Sequence, residues 1–144
     1  MKDVLIGGAI LGAVMLAGIV VLTGLQMIWL VFRTRRNLKN IAGIYDAART
    51  KLRQALEPLG YAVTADQYDP GAFGSRYVDV ARGAEAFRLI WDGKDGWFYL
   101  QSTNVYVAGD FRTQFTDKAI VPFDSREVDG TRERLLSEIS THCG

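Results

Sequence analysis

Residues 75–101 read SRYVDVARGAEAFRLIWDGKDGWFYLQ. Apolar and polar side chains alternate in it, and turn residues interrupt it twice. Ser75 to Arg82 alternates, with Val78 and Val80 on one face, which predicts a strand. Gly83-Ala84 makes a turn. Ala86 to Trp91 is a second strand and places Phe87, Leu89 and Trp91 on one face. Asp92-Gly93-Lys94-Asp95-Gly96 is a hairpin signal, because Asp-Gly supplies the positive φ that such turns demand. Trp97 to Gln101 is the return strand. Closely spaced strands joined by tight turns predict an antiparallel meander.

The flanks complete the domain. Upstream, Ile44, Ala48, Leu52, Ala55, Leu56 and Leu59 recur at three and four positions, the period of an amphipathic helix. Pro58 and Gly60 mark its end. Tyr61 to Thr64 reads as a short strand, and Asp66 to Gly74, rich in Asp, Pro and Gly, as a loop. Downstream, Val105 to Ala108 reads as another strand, and Phe111 to Val121 is ambiguous. Asp124 to Ser140 holds a C-terminal helix. Asp124 and Glu127 form a capping pair there, or Asp129 is the N-cap because Gly130 weakens the start. Leu135, Leu136 and Ile139 point inward. The order α-β-β-β-(β)-α, with helices gathered on one face of an antiparallel sheet, is the α+β class.

A different segment precedes this domain. From Val4 to Phe32 there is no charged residue, and a bilayer needs roughly 20 apolar helical residues. The expectation is a single transmembrane helix at 1–32, a basic juxtamembrane connector at 33–40 and one α+β domain at 41–144. A cleaved leader fits less well. Its apolar region would be shorter and would end on small residues, whereas this run ends on Trp29-Leu30-Val31-Phe32-Arg33. Arg33, Arg35, Arg36 and Lys39 follow the span, against Lys2 and Asp3 before it. Positive flanks stay cytoplasmic. The reading is therefore an N-terminus outside and a C-terminal domain on the cytoplasmic side of a cell's inner membrane. The same cluster suits anionic lipid headgroups.

Charge divides in the same way. Residues 1–39 carry five basic residues and one acidic, a net of 5 − 1 = +4. The remaining 12 basic and 15 acidic residues leave 40–144 at −3, within a chain total of +1. The negative domain, without an RNP-type pattern, speaks against nucleic acid. Small residues recur along the helix at Gly8, Ala9, Gly12, Ala13, Ala17 and Gly24. Such a row lets a second backbone approach closely and predicts packing on transmembrane helices of other subunits. The span holds no His, Cys, Asp, Glu, Lys or Arg and so lacks the usual side chains for ligating haem, relaying protons or sensing voltage; it anchors and packs without doing chemistry.

The domain is equally poor in reactive groups. His142 is the only histidine and Cys143 the only cysteine. They stand beside each other near the C-terminus, where chains usually fray, with no third or fourth ligand for a zinc site. Asp92 and Asp95 faintly suggest a calcium loop, but the twelfth position from Asp92 is Thr103 and not glutamate. Asp66, Asp69 and Asp79 would need to converge before they could share a proton. No enzyme activity, cofactor or metal is expected. Aromatic residues stand out instead. Trp91, Trp97 and Tyr99 are the candidate protein-contact residues, because Trp97 and Tyr99 share the strand face opposite Phe98 and Leu100. Two functions fit. One is a non-catalytic accessory subunit of a larger membrane complex, respiratory or photosynthetic, with membrane lipids and other subunits' helices as partners. The other is a free membrane-tethered binding or regulatory module of the immunity type.

Overall fold

The structure is a computed structural model. It describes the backbone of residues 2–144 and the side chains of residues 21–144, apart from Phe111 in both cases. The first helix, α1, spans Lys2–Leu56. The chain divides into two compact units, 1–39 and 40–144.

In the first unit, residues 33–39 are helical. Thr34 Oγ1 donates to the Leu30 carbonyl at 2.9 Å, and the Arg33 guanidinium stands 5.2 Å from the centre of the Trp29 ring. Among the described residues no helix is long and apolar enough to cross a membrane. The apolar run 4–32 starts in residues whose side chains lie outside the described set. Its described remainder, 21–32, is shorter than the roughly 20 residues a span requires. Gly8, Ala9, Gly12, Ala13 and Ala17 fall outside the described side chains. A Cβ added at Gly24 would meet nothing within 4 Å.

The second unit is a two-layer α+β domain. Its sheet has five antiparallel strands in the order β1-β2-β3-β4-β5: β1 Ala62–Asp69, β2 Ser75–Arg82, β3 Glu85–Asp92, β4 Trp97–Thr103 and β5 Thr116–Pro122. A second helix, α2, spans Val128–Cys143. Ile41, Ile44, Tyr45, Ala48, Leu52 and Leu56 of α1 join Leu135 and Ile139 of α2 in one core with Val78, Val80, Leu89, Trp91, Phe98, Leu100, Ala119 and Val121. Fully burying a Leu, Ile or Phe side chain contributes about 1.5–3 kcal/mol. Leu52, Leu89, Phe98, Leu100, Leu135 and Ile139 all reach that limit at 0 % exposure.

Several expectations need correction. Leu59 is 54 % exposed, because α1 ends at Leu56 and Glu57–Leu59 form a 3₁₀ turn closed by Gly60 at φ +86°. Three residues per turn rotate Leu59 off the face that 3.6 per turn would give it. Strand β1 runs on to Asp69, through residues expected as loop. It is an edge strand with a bulge between Val63 and Ala65. Its mostly exposed side chains carry no hydrophobic signature. Residues 105–108 are not a strand. The chain leaves the sheet after Thr103, Tyr106 N–H donates to the Ala84 carbonyl at 2.8 Å, and the fifth strand forms later, at Thr116. Neither expected capping arrangement forms on α2. Glu127 takes the N-cap position without a side-chain bond, and Asp129 lies in the first turn. Asp124 Oδ1 accepts from Arg126 N–H instead, at 2.8 Å. The C-terminal segment is helical to Cys143, whose side chain is in the core.

Candidate functional site

Antiparallel pairing turns the sheet's second face into rows. The register Tyr77↔Ile90, Ile90↔Tyr99 and Tyr99↔Ile120 lines up four apolar or aromatic side chains across β2 to β5. The neighbouring row is Asp92↔Trp97↔Pro122. Trp97 and Tyr99 stack with centroids 6.3 Å apart at 27°. Neither helix covers these rows. Trp97 is 41 % and Ile120 44 % exposed, and Tyr77, Ile90 and Tyr99 are half-buried. Burial first, then the nearby Asp95, Asp92 and Asp117 carboxylates, push the Tyr99 hydroxyl above its ordinary pKa. Tyr99 is therefore a neutral hydrogen-bonding tip on an apolar patch, the amphipathic character common in contact residues.

The row on the other side is polar and closed. Asp79 and Arg88 are directly opposite and form a bidentate ion pair at 2.6 and 2.8 Å. The Arg88 guanidinium also lies over the Tyr77 and Phe115 rings, 4.8 and 4.0 Å from their centres. Burial lowers the Arg88 pKa, but the hydrogen bonds and charge of Asp79 override it, so the guanidinium is held above its usual value. Tyr106 and Phe115 lie over this half of the face. Tyr106 packs with Ala81, Ala86 and Phe115. Its hydroxyl donates to Asp79 Oδ2 at 3.3 Å and shares a 2.8 Å bond with Thr64 Oγ1. The face is thus divided into a latched half and an open aromatic half.

Of the expected contact residues, Trp97 and Tyr99 lie on the open face and Trp91 does not. Trp91 is 5 % exposed and packs in the core on Phe98 and Phe123, at 4.7 and 6.0 Å between ring centres. The second hairpin pairs Trp91 with Phe98 and Asp92 with Trp97, so the two tryptophans take opposite faces. Sequence reasoning missed Ile90 and Ile120 as members of the patch. Their partners follow from the register once the turns are placed.

The carboxylates do not converge. Asp66 pairs with Arg49 of α1. Asp69 Oδ1 accepts from Gly71 and Ala72 N–H in the turn after β1. Asp92 Oδ1 accepts from Lys94 and Asp95 N–H in its own turn. His142 Nε2 lies 3.4 Å from Glu138 Oε2 on the same helix. Burial pushes the Cys143 thiol up to about 12, which keeps it a protonated core group. Among the described residues no group of three or more His, Cys, Asp or Glu is placed to hold a metal ion. An open cleft of about 470 Å³ is lined by Tyr61, Glu85, Phe87, Ser102, Thr116 and Lys118 among others. There Glu85 accepts from Tyr61 at 2.7 Å and from Arg82 at 2.9 Å. These two donors hold its carboxyl below the usual range, the Tyr61 bond being the larger cause.

No family model, curated protein or solved structure matches the chain.

Proposed function

We propose that this protein is a non-catalytic, single-pass accessory subunit of a larger membrane complex, of the respiratory or photosynthetic kind. Its 4–32 helix spans the bilayer with the N-terminus outside, and its α+β domain sits on the cytoplasmic side. The observation that carries the reading is the open row Tyr77–Ile90–Tyr99–Ile120 with Trp97 beside it. A sheet face that buries an ion pair in one half and leaves aromatics uncovered in the other suits a protein neighbour. The small-residue row of the helix supplies a second, independent contact within the bilayer.

The test is co-purification from native membranes in mild detergent. The wild-type chain elutes at constant stoichiometry with its neighbours. Trp97→Ala with Ile120→Ser weakens that association about tenfold or more, in the range of a contact hot spot. Elution of the wild-type chain alone, at the size of a monomer, overturns the subunit reading and leaves the tethered regulatory module in its place.

A further inference from the structure

The turn after β1 holds a phenylalanine out in solvent. Phe73 is 70 % exposed and adopts φ +55°, a conformation that non-glycine residues seldom take. The loop around it is braced. Asp69 accepts from Gly71 and Ala72 N–H at 2.8 and 3.1 Å. Ser75 donates to the Ala72 carbonyl from both N–H, at 2.9 Å, and Oγ, at 2.6 Å. Gly93 N–H of the next hairpin donates to Ser75 Oγ at 3.0 Å. A Cβ on Gly93 would stand 2.0 Å from the Phe73 carbonyl oxygen, so the two turns are in close backbone contact. Nothing in the domain's own packing uses the Phe73 ring.

Phe73 has company at the same end. The domain's exposed large aromatics, among the described residues, are Tyr68 at 57 %, Phe73 at 70 % and Trp97 at 41 %. Tyr68 is paired with Arg76, which covers its ring at 4.7 Å, and Trp97 with Asp92 at the edge of the 92–96 turn. Of the exposed aliphatics, Leu59, Val63, Val105 and Val107 lie toward the other end or on segment 104–115, and Ile120 belongs to the open row beside Trp97. The aromatic end is where the chain enters the domain. Tyr45 lies 5.9 Å from the same Arg76, whereas Leu59, after the helix has run its length, accepts from Arg82 at the far end of β2.

Only residues 33–40 separate this entry point from the apolar run 4–32. Even fully extended they reach about 28 Å. Aromatic residues, Trp and Tyr above all, favour the headgroup depth of a bilayer. The end carries Asp69, Asp92 and Asp95 beside Arg76 and Lys94, so net positive charge does not draw it to lipid. The exposed rings, and not charge, are what this end offers to lipid, so the contact needs no anionic headgroup.

We propose that the Phe73 turn, with Tyr68, rests in the headgroup layer of the membrane that carries the 4–32 helix, and so fixes the domain against the lipid surface. This rests on the membrane-anchor reading above.

The test uses the full chain with Phe73→Cys, labelled with an environment-sensitive NBD dye and reconstituted in phosphatidylcholine vesicles. Cys143 is buried and stays unlabelled. Val107→Cys, at 58 % exposure in the wild-type chain, is the control on segment 104–115. The expected result is a blue-shifted emission at position 73, quenched severalfold by lipids carrying a nitroxide near the headgroup, with neither effect at 107. Protein that floats with the vesicles but shows no quenching at 73, or equal quenching at both sites, overturns the inference and spares the anchor. Protection at 73 only in the native assembly, and not in vesicles, overturns it in favour of a protein neighbour. Protein that does not float overturns the anchor and this inference together.

Discussion

Asp79 faces away from the helices and is still only 2 % exposed, because Arg88 covers it from the next strand and Tyr106 from above. Both Arg88 nitrogens facing Asp79 are satisfied, and the carboxylate is shut away from water while the Arg88 side chain stays 25 % exposed. Removing one partner leaves a charge without compensation, and that penalty exceeds what the intact pair contributes. Asp79→Ala is expected to destabilise the domain by about 3 kcal/mol, the lower end for a buried pair, since Arg88 keeps some solvent. Adding Arg88→Met should recover most of the loss, because an apolar side chain fills the space without a charge. Denaturant midpoints of the full chain in detergent, followed by near-ultraviolet circular dichroism, measure both. A double variant no more stable than the single one would show that the ion pair itself holds segment 104–115 in place. The pair was legible in principle. A hairpin centred between Gly83 and Ala84 sets 79 opposite 88 and 77 opposite 90. What the sequence hides is that Asp79, a candidate acid beside Asp66 and Asp69, is already spent on an arginine. The same logic applied to the 92–96 turn separates Trp91 from Trp97.

At the scale of elements, the legible strands were those buried on one face and bounded by turns. β2, β3 and β4 follow the alternation of Val78/Val80, Leu89/Trp91 and Phe98/Leu100 to within two residues at either end. β1 escaped because an edge strand can be polar on both sides and still pair through its backbone. Segment 105–108 misled for the opposite reason. Its alternation is real, with Tyr106 buried between exposed Val105 and Val107, yet no strand is beside it to complete a ladder. The edge at β5 carries its own irregularity, a register shift opposite Leu100/Gln101 that sets Lys118 out of the pairing. Such a bulge with a lysine discourages a further strand from adding. Contact between turns is the element-scale feature that no periodicity reveals. Gly93→Ala is expected to cost about 1–3 kcal/mol, the range for forced overpacking, because backbone and not a flexible side chain occupies the Cβ position. Gly96, at φ +75° but with open space around it, should lose less on substitution by Asn, which tolerates positive φ. Equal losses at the two sites, read from thermal unfolding, would mean that the Phe73 turn yields freely and is not braced.

For the whole molecule the distribution of charge sets the remaining prediction. The first 39 residues carry +4 and the rest −3, and the positive charges that follow the apolar run sit at Arg33, Arg35, Arg36 and Lys39. Orientation in a bilayer responds to Lys and Arg close to the ends of a span, and acidic residues count for little. The proposed arrangement therefore hangs on four side chains against Lys2. An alkaline phosphatase that works only outside the cytoplasm, fused after Gly144, is expected to be inactive in bacteria expressing the full chain. Replacing the four basic residues by Gln and adding three lysines beside Lys2 reverses the bias and should switch the phosphatase on. The domain's own fold does not oppose the reversal, since its single cysteine offers no internal disulfide that an oxidising compartment would create. An active fusion on the unaltered chain would place the aromatic face on the outer side. The open row of β2 to β5 and the contact test with Trp97 and Ile120 would stand, while every partner proposed for the cytoplasmic side would change.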